Sequence, residues 1–436
     1  MRAVSCLLSG LLIAALAAAP AWAADYPAAP DDYRTLLPRL LPGDRLLLRA
    51  GDYERGLPLQ RLAGEAGRPI VIEGRPGVRF LARPGSNTVS LVDVSHIVIR
   101  SLELDGRNQS VDAVKAEGHG RYAHYVTLEN LYIHDHAASQ QNVGISSKCP
   151  AFGWIVRGNR IERVGTGMYF GDSDGSDPFV AGLIEGNRVS DTIGYNLQIK
   201  HQKSRPADLP EGDRRHDTVI RGNFFAKATA WPDRAHRPNV LVGHAPVDGP
   251  GAQDRVLVYG NLFWQNPSEA LFQGEGHLAI YNNAFVNPQG HAVHIQPHND
   301  VPRQVDVFHN TVLARGHGIR ILRSEGSVPA WPQRVLRNLV FAGQPLSGGE
   351  AGDNQSAGVD AAARFLKKPF AELDLLDLGP RMALAGERWP DGLGPAAYPD
   401  SDKDIDGRPR STPALGACAD DPAASCPNLA KVPSWP

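Results

Sequence analysis

The segment TVIRGNFF at residues 218–225 contains a phrase that recurs along the chain: a short apolar strand, a Gly-Asn pair, and a second short strand. The phrase returns as WIVRGNRI at 154–161, GLIEGNRV at 182–189 and VLVYGNLF at 256–263, then around Asn283, Asn310 and Asn338. Toward the N-terminus, the position equivalent to the repeated asparagine is occupied by Asn130, Ser101 and Gly74. The recurrences lie 22–38 residues apart, a spacing that predicts a solenoid. Each coil of a solenoid buries its apolar side only against its neighbours.

The repeated asparagine suits a turn that recurs in every coil. Asparagine tolerates left-handed backbone angles, and its amide both donates and accepts hydrogen bonds. Stacked asparagines therefore satisfy one another and the turn backbone, which otherwise costs about 1–3 kcal/mol for each buried unpaired group. We predict a structural rather than a catalytic role for Asn159, Asn187, Asn223, Asn261, Asn283 and Asn310.

The composition of the 436-residue chain agrees with many short strands and turns. It contains 45 Gly and 35 Pro, but only 3 Met and 7% aromatic residues, as expected for strands built from Val, Ile and Leu. The formal net charge is −2, and the sequence has no strong basic patch that would favour nucleic acid. We therefore expect no nucleic-acid partner.

Residues 1–23 have the pattern of a signal peptide. Arg2 supplies the basic start, residues 7–19 the apolar run, and Ala21-Trp22-Ala23 the small-residue cleavage site. The apolar run is shorter than the roughly 18–20 residues of a membrane span. The sequence thus predicts an exported protein, periplasmic or secreted, without a membrane span.

The cysteines of the mature chain fit export. Cys418 and Cys426 lie close together in a loop-rich tail, where a local disulfide is plausible in an oxidising compartment. Two reduced thiols are the alternative. Cys149 has no evident partner in the sequence.

Three regions follow from the repeat: the signal peptide at 1–23, a solenoid at 24–343 and an irregular tail at 344–436. A short helix at 31–37 is predicted to cover the open first coil, because terminal repeats need a cap. A second short helix is predicted at 361–365. The two longest intervals must hold loops, at 203–217 and 226–238, and loop insertions in solenoids often mark the binding face.

The Gly-Asn pairs and their spacing, from about residue 40 to 343, resemble the right-handed parallel β-helix superfamily typified by pectate lyases. The tail DIDGRPR at 404–410, with LGA at 415–417, resembles the closing segment of many exported proteins of that group. This resemblance implies an all-β fold: a right-handed parallel β-helix with a short N-terminal capping helix and an irregular C-terminal tail.

A second strand follows each asparagine strand, and its alternate side chains are predicted to point outward. One predicted outward column holds Lys115, Ser146, Tyr169, Gln198, Leu241, Phe272, His294 and Arg320. The next column holds Glu117, Lys148, Gly171, Lys200, Gly243, Gly274, Gln296 and Leu322. Just beyond the strands lie Asp172, His201, His244, Glu275 and Arg323. This ridge of cations, aromatics and histidines resembles the substrate groove of polysaccharide lyases with this fold.

Such a ridge suits an acidic polysaccharide that is cut by β-elimination. A base takes the proton at C5, next to the carboxylate, and a cation or a metal stabilises the charge that develops. Lys200 is the candidate base or charge neutraliser, because neighbouring cations lower the pKa of a lysine. His201 and His244 are predicted one rung apart as the partner acid or base. The candidate substrate-binding residues are Lys148, Tyr169, Gln198, Arg214, Arg215, Phe272, Glu275, His294 and Arg320.

Metal binding is an open alternative at two places. The acidic, Gly-rich run at 171–177 could bind Ca²⁺ through Asp172 and Asp174, or be an ordinary turn. His291, His294, His298 and Asp300 suggest a metal or a sugar site, but strand alternation predicts that His291 and His294 face opposite sides. No other cofactor is predicted.

The sequence departs from the β-helix lyases of the chondroitinase and alginate-lyase type. Those enzymes place an arginine on the rung after the lysine, where this chain has Gly243-His244, and an acidic calcium ligand near the lysine, where it has Tyr195-Asn196. The leading interpretation is an exported, monomeric lyase for a uronate-containing polysaccharide. A C5-epimerase, a glycoside hydrolase using Asp172, Asp174 and Glu275, and a non-catalytic polysaccharide-binding or surface protein remain alternatives.

Overall fold

The computed structural model describes residues 23–118, 120–228, 236–323, 331–382, 384, 391–410, 414–419 and 425–428. The predicted signal peptide, apart from Ala23, lies outside the described residues. Successive coils pair through parallel strands along the length of the molecule, and the chain has the predicted right-handed parallel β-helix fold. The parallel array begins at Asp25–Ala28, which pairs with Arg45–Leu48.

Three parallel sheets form the sides of the helix. Sheet 1 consists of Asp25–Ala28, Arg45–Leu48, Ile70–Gly74, Val94–Arg100, Ala123–Glu129, Ile155–Arg157, Leu183–Glu185, Asp217–Arg221, Arg255–Tyr259, Gly276–Tyr281, Pro302–Phe308, Gln333–Leu336 and Glu350–Gly352, extended on one side by Ala151–Phe152 and Phe179–Val180. Sheet 2 consists of Gly51–Tyr53, Val78–Leu81, Glu103–Asp105, Tyr132–His136, Arg160–Val164, Arg188–Ser190, Phe224–Ala226, Leu262–Trp264, Ala284–Asn287, Thr311–Ile321, Leu339–Ser347 and Gln355–Ala357.

Sheet 3 carries the face of interest. It consists of Leu57–Gln60, Val89–Val92, Val114–Glu117, Val143–Lys148, Thr166–Phe170, Leu197–Ile199, Val240–Val242, Phe272–Gly274 and Val293–Ile295. Thr311–Ile321 and Leu339–Ser347 are long enough to run through both sheet 2 and sheet 3.

Apolar side chains from the three sheets fill the interior in columns. In sheet 1, one buried column runs through Ile72, Ile99, Leu128, Val156, Ile184, Ile220, Val258 and Ile280. Each such side chain contributes roughly 1.5–3 kcal/mol when it is buried. In sheet 2, the ring of Phe263 lies between those of Phe225 and Phe285, at centroid distances of 5.3 and 4.5 Å. The core is therefore continuous from coil to coil.

The predicted asparagine ladder is confirmed. Each ladder residue from Asn159 to Asn338 donates its backbone N–H and its side-chain amide to the Oδ1 of the next one, and the ladder ends at Asn354. The same amide also reaches a carbonyl of the preceding coil, as from Asn223 to Ile184 at 2.9 Å. These buried amides satisfy one another and the turn, so they have no capacity left for catalysis.

The left-handed backbone angle falls on the residue before the ladder asparagine, not on the asparagine itself. Gly158, Gly186, Gly222 and Gly260 have φ between 61° and 66°, and Asn282 has φ 53° at the same position. Glycine adopts this conformation without the steric cost that a Cβ adds. The ladder asparagines from Asn159 to Asn338 therefore do not use their tolerance of left-handed angles.

In the first coils, the turn position that the sequence assigned to the ladder asparagine is off by one residue. Glu129 pairs with Arg157, so Asn130 matches Gly158 and not Asn159. Ser101 and Asn130 accordingly have the left-handed φ of that position, 57° and 52°. Leu131 occupies the ladder slot there, and its N–H donates to Asn159 Oδ1 at 2.9 Å.

Gly222 offers a direct test of this turn. Replacing Gly222 by Ala is expected to lower the free energy of unfolding by about 1–2 kcal/mol, because its φ of 61° is strained for a residue with a Cβ. Gly222→Asn should cost clearly less, since Asn130 and Asn282 adopt this angle in their own coils. Chemical denaturation of both variants measures the difference, and equal losses would contradict the explanation.

A short helix covers the first coil, as predicted, whereas the coils at the other end continue further than predicted. The α-helix Tyr33–Leu36 continues as the 3₁₀ helix Leu37–Arg39, and the buried Tyr33 ring packs on Tyr53 at 5.1 Å over the first coil. At the other end, parallel pairing continues past the predicted boundary at 343, as far as Gln355–Ala357. Three short helices and an antiparallel hairpin follow: Val359–Ala361, Ala362–Phe365, Leu373–Leu375, and Leu366–Lys368 paired with Asp377–Pro380.

The tail does more than close the end, because it runs back along the outside of sheet 1. Tyr398 packs on Phe308 at 5.4 Å, and Arg410 donates to Asn282 Oδ1 at 3.0 Å. Cys418 and Cys426 form the local disulfide. Cys149 is a buried free thiol. None of the helices among the described residues has the length and apolarity of a membrane span.

Candidate functional site

The outward column of sheet 3 is confirmed over most of its length. Paired Cα positions align Lys115, Ser146, Tyr169, Gln198, Leu241, Gln273, His294 and Arg320. The sequence alignment was wrong at one rung, because Leu241 pairs with Gln273 and not with Phe272. A one-residue shift reverses the facing of a strand. Phe272 is therefore fully buried in the core and cannot contact a substrate from there.

The neighbouring column contains two lysines separated by a glycine. Lys148 is the last residue of its strand and pairs with Glu117. The Lys200 N–H donates to the Phe170 carbonyl and the Gly243 N–H to the Ile199 carbonyl, which continues the column through the next rungs. Glu275, whose N–H donates to Val242, takes the next place, which the sequence alignment had given to Gly274. Lys148 and Lys200 thus lie two rungs apart, about 9–10 Å along the helix axis.

A cavity of about 850 Å³ opens over these columns. Its floor is made by side chains of sheet 3: Ser90, Lys115, Lys148, Tyr169, Gln198 and Lys200. Turns at 85–87, 110–112 and 140–143, together with Thr166, Ser173, Tyr195 and Arg237, form its walls. Four of the predicted site residues therefore meet in one place: Lys148, Tyr169, Gln198 and Lys200.

Lys148 and Lys200 are half-buried, and burial lowers the pKa of both ammonium groups. Lys148 lies 3.7 Å from the centroid of the Tyr169 ring and 3.8 Å from Asp172, and both contacts favour its charged form. No carboxylate among the described residues lies within 4.0 Å of the Lys200 ammonium. In the part of the chain that the structure describes, Lys200 therefore has no close carboxylate like the one that Asp172 supplies to Lys148.

Gly171 creates the space between the two lysines. Its φ is 93°, and a Cβ built on it would lie 3.1 Å from the Lys200 Cβ and 3.0 Å from a backbone oxygen. A larger residue would press on Lys200 and fill the gap between the ammonium groups. Gly171 therefore leaves room beside Lys200.

Two tyrosines and an arginine complete the wall near the lysines. Burial raises the pKa of Tyr169 to about 12 and also raises that of Tyr195, so both phenols keep their protons at neutral pH. The Arg237 guanidinium lies 5.9 Å from the centroid of the Tyr195 ring. This part of the cavity combines cations with phenolic donors.

His201 and His244 lie near one another, but outside the cavity. Their rings are 5.4 Å apart, as the prediction of matching places on adjacent rungs requires. The strand ends at Ile199, and the chain then turns toward sheet 1, where Gln202 donates to the Phe179 carbonyl. His244 is buried, and its Nδ1 lies 2.7 Å from the Ala245 carbonyl. Neither histidine lines the cavity that contains Lys200, so their predicted partnership with Lys200 is not supported by this arrangement.

The two predicted arginines of the loop at 203–217 are also outside the cavity. Arg214 pairs with Glu211 at 3.2 Å, and Arg215 with Asp217 at 3.6 Å. The loop is held by Arg205, which is buried against Asp254. The part of the loop at 226–238 that includes 229–235 lies outside the described residues, but Arg237 from its end lines the cavity.

The remaining predicted contacts lie farther along sheet 3. Glu275 is buried, and its carboxylate accepts the N–H groups of His298, Asn299 and Asp300 at 2.7–3.0 Å, so it holds a turn. His294 and Arg320 are paired neighbours in the outward column. None of the three lines the cavity.

His291 and His294 do not face opposite sides. Their ring centroids are 4.7 Å apart, and the ring of His317 lies 5.1 and 5.6 Å from them. The strand begins only at Val293, so His291 belongs to the preceding turn and strand alternation does not apply to it. The sequence prediction was wrong for that reason.

The acidic run at 171–177 has the contacts of a turn. Asp172 Oδ1 accepts the N–H of Ser173 at 2.7 Å, and Asp174 Oδ1 accepts that of Ser176 at 2.9 Å. In the part of the chain that the structure describes, a candidate set of metal ligands occurs elsewhere, at Asp105, His134 and Asp135, whose ligand atoms lie within 4.8 Å of one another. There Arg163 already engages the Asp135 carboxylate at 2.7 Å.

Several cavity residues escaped the sequence analysis. Lys115 lay on the predicted outward column, but its role was not recognised. Asp112, Tyr195 and Arg237 come from turns and strand ends, where no periodicity shows which way a side chain points. The only sequence signal for these three residues was their closeness to the strands of sheet 3.

No protein-family model and no curated protein matches the chain. The chain is similar to several solved structures. A PL6 family polysaccharide lyase, Pedsa3628 from Pseudopedobacter saltans, superimposes with a TM-score of 0.49 at 13% identity, covering 84% of this chain and 98% of that one. Pectate lyase Pel9A superimposes with a TM-score of 0.45 at 13% identity, and the match covers 91% of this chain and 90% of that one. A GH136 lacto-N-biosidase from Eubacterium ramulus superimposes with a TM-score of 0.48 at 15% identity, and the match covers 77% of this chain and 68% of that one.

The chain shares their right-handed parallel β-helix fold. The PL6 family alginate lyase AlyGC is a longer protein. It superimposes with a TM-score of 0.44 at 14% identity, and the match covers 76% of this chain but 51% of that one. The chain thus spans about half the length of that enzyme. At such identities the likeness concerns the fold alone, and activity must be argued from the cavity.

Proposed function

We propose that this protein is an enzyme that cleaves an acidic polysaccharide by β-elimination at the cavity over sheet 3. The observation that supports it best is the pair Lys148 and Lys200, half-buried in one cavity on either side of Gly171. A buried ammonium group is costly unless it meets an anion. A uronate carboxylate placed against Lys148 would supply that anion and leave the Lys200 amine to act as a base.

The charges around the cavity favour an anionic ligand. Lys148, Lys200 and Arg237 line it, whereas Asp112 is the carboxylate among the described lining residues. The elongated face of a solenoid suits a polymer rather than a small molecule. An acidic polysaccharide meets both requirements.

The proposed step transfers one proton and breaks one bond. The Lys200 amine takes the proton from C5 of the uronate, and the electron pair of that C–H bond forms the C4–C5 double bond. The C4–O4 bond breaks with its electrons on O4, which takes a proton from a donor. The products are an unsaturated uronate and a new reducing end. Lys148 and Arg237 stabilise the carboxylate charge that grows when C5 loses its proton.

The two lysines are suited to different parts of this step. The lowered pKa of Lys200 increases the fraction of neutral amine, which is the form that accepts a proton. Burial lowers the pKa of Lys148 too, but Asp172 and the Tyr169 ring favour its charged form. The Tyr169 phenol, with a pKa of about 12, is protonated at neutral pH and can donate to the leaving oxygen.

A glycoside hydrolase fits this cavity less well. Most such enzymes use two carboxyl groups about 5–9.5 Å apart on either side of the scissile bond. Among the described residues that line the cavity, Asp112 supplies a carboxylate and has no second one facing it. Asp172, Asp174 and Glu275, the sequence-based candidates, are engaged in turns.

We propose in addition that the protein works outside the cytoplasm, either in a periplasm or secreted. The Cys418–Cys426 disulfide is typical of oxidising compartments, and the pattern of residues 1–23 is typical of export. Cell fractionation of the full chain, with the mature N-terminus determined, tests this.

The function is tested with a panel of uronate-containing polysaccharides followed by ultraviolet absorbance of the unsaturated product. We expect absorbance to rise with at least one polymer. Exchange of the C5 proton without cleavage would indicate an epimerase instead. New reducing ends without absorbance would indicate a hydrolase, and binding without any reaction a non-catalytic protein.

A further inference from the structure

The cavity over sheet 3 has two chemically different halves. Toward the C-terminal coils it presents Lys148, Lys200 and Arg237. Toward the N-terminal coils it presents hydroxyl and amide groups, from Asn87, Ser90 and Ser110, together with Asp112. The lysine of this second half, Lys115, is neutralised by Glu117 at 2.6 Å. The positive charge that attracts a uronate is thus confined to one half.

Asp112 is held in the wall of the neutral half. One carboxylate oxygen accepts the Val143 N–H at 2.8 Å, and the other accepts the Ser146 hydroxyl at 3.3 Å. Its own backbone N–H donates to Asn87 Oδ1 at 3.3 Å. These bonds set the position of the carboxylate before any ligand enters, and they leave acceptor capacity on both oxygens.

The charge of Asp112 is only weakly compensated. Burial raises its pKa, while Lys115 and Lys148 oppose that shift from a distance. No lysine or arginine among the described residues lies within 4.0 Å of the carboxylate. A second carboxylate brought next to it would be repelled, because like charges in a partly desolvated site interact strongly. A hydroxyl or an amide N–H of a ligand would instead donate a hydrogen bond to the Asp112 carboxylate.

Asp112 and Lys200 lie far enough apart to contact different sugars. Asp112 belongs to the coil of strand Val114–Glu117, and Lys200 follows strand Leu197–Ile199, three rungs further on. Three rungs correspond to about 14 Å along the axis. Lys148 is nearer, because the Asp112 carboxylate bonds to residues of the strand Val143–Lys148. The sugar at Lys200 is therefore not the sugar that contacts Asp112.

We propose, on the basis of the function proposed above, that Asp112 selects heteropolymers in which a uronate is joined to a sugar that has hydrogen-bond donors and no carboxylate. The uronate occupies the half with Lys148 and Lys200. The uncharged neighbour occupies the other half and donates to Asp112. A chain of consecutive uronates would place a carboxylate against Asp112 and bind less well.

The test compares two classes of polymer on the full-length protein. Polymers that alternate glucuronate with N-acetylhexosamine, such as hyaluronan and chondroitin, represent the first class. Polygalacturonate and polyguluronate represent the second. We expect kcat/KM to be at least tenfold higher for one of the alternating polymers than for either homopolymer. A homopolymer cleaved equally fast or faster would overturn the proposal while leaving the lyase function intact.

The variant Asp112→Asn keeps the shape of the side chain and an oxygen for the Val143 N–H, but removes the charge. It should reduce the ratio between the two classes at least tenfold by raising kcat/KM for the homopolymer. Asp208→Asn, the same change at an exposed position outside the cavity, should leave the ratio unaltered. An unchanged ratio in Asp112→Asn would refute the role of Asp112.

A protein without activity on any polymer would contradict the proposed function, and the selectivity is then measured by affinity electrophoresis in gels containing the same polymers. Preferential retardation of the wild type by an alternating polymer, lost in Asp112→Asn, would support the selectivity independently of catalysis. Equal retardation by both classes would overturn it. The wild-type comparison needs no variant, so a misfolded Asp112→Asn protein would not prevent a decision.

Discussion

Replacing Lys200 by Met is expected to lower kcat/KM on the acidic polysaccharide by about 10²–10⁴-fold, the usual contribution of a general base. Methionine keeps much of the volume of the lysine stem and removes the amine that would take the C5 proton. The rise in ultraviolet absorbance under substrate-limiting conditions measures the loss. Lys200→Arg should be similarly inactive, because a guanidinium stays protonated at working pH.

The wild-type pH profile should identify the same group. The amine acts as a base only when deprotonated, so kcat/KM should rise with pH through the pKa of Lys200. Burial lowers that pKa, so the rise should occur at lower pH than for an ordinary lysine. A profile that is flat across this range, or that falls with increasing pH, would contradict the assignment.

Two controls separate catalysis from folding. Lys203→Met makes the same change at an exposed position outside the cavity and should leave kcat/KM within a few-fold of the wild type. Lys200→Met should be at least as stable as the wild type at neutral pH. A lysine whose pKa is lowered by folding destabilises the folded state while it is charged, below its unfolded pKa, and methionine removes that cost. A large loss of stability would mean that the lost activity reflects unfolding.

Replacing Asn223 by Ala is expected to lower the free energy of unfolding by about 3–6 kcal/mol. Asn223 Oδ1 accepts both the backbone N–H and the side-chain amide of Asn187, at 2.9 Å each. Its own amide donates to the Ile184 carbonyl and to Asn261 Oδ1. Alanine leaves these buried groups without partners, and each costs about 1–3 kcal/mol. Equilibrium denaturation, followed by circular dichroism, measures the loss.

Asn354 supplies the matched control for the ladder. It ends the described array and is only partly buried, so water can replace part of what its amide provides. Asn354→Ala should therefore cost clearly less than Asn223→Ala. If the two variants lost the same stability, burial of the ladder would not be the source of its contribution.

Local sequence predicted the solenoid because its periodicity is a physical requirement of every coil. The Gly-Asn phrases around Asn159, Asn187 and Asn223 mark one recurring turn, and aliphatic alternation marks the inward faces. The same alternation placed Tyr169, Gln198 and Lys200 correctly on the outer face. Alternation failed at Phe272, where a shift of one residue reversed the facing. Counting the Gly-Asn phrase backwards failed at Asn130, which occupies the glycine position of the turn.

By itself, the sequence determined the β-helix, its capping helix, the asparagine ladder and the position of Lys148 and Lys200 on one column, since all of these depend on period and alternation. Only the tertiary structure decided which turns surround those lysines. It brought Asp112 and Arg237 into the cavity and placed His201 and His244 outside it. Turns have no periodicity, so the direction of their side chains depends on the neighbouring coils against which they pack.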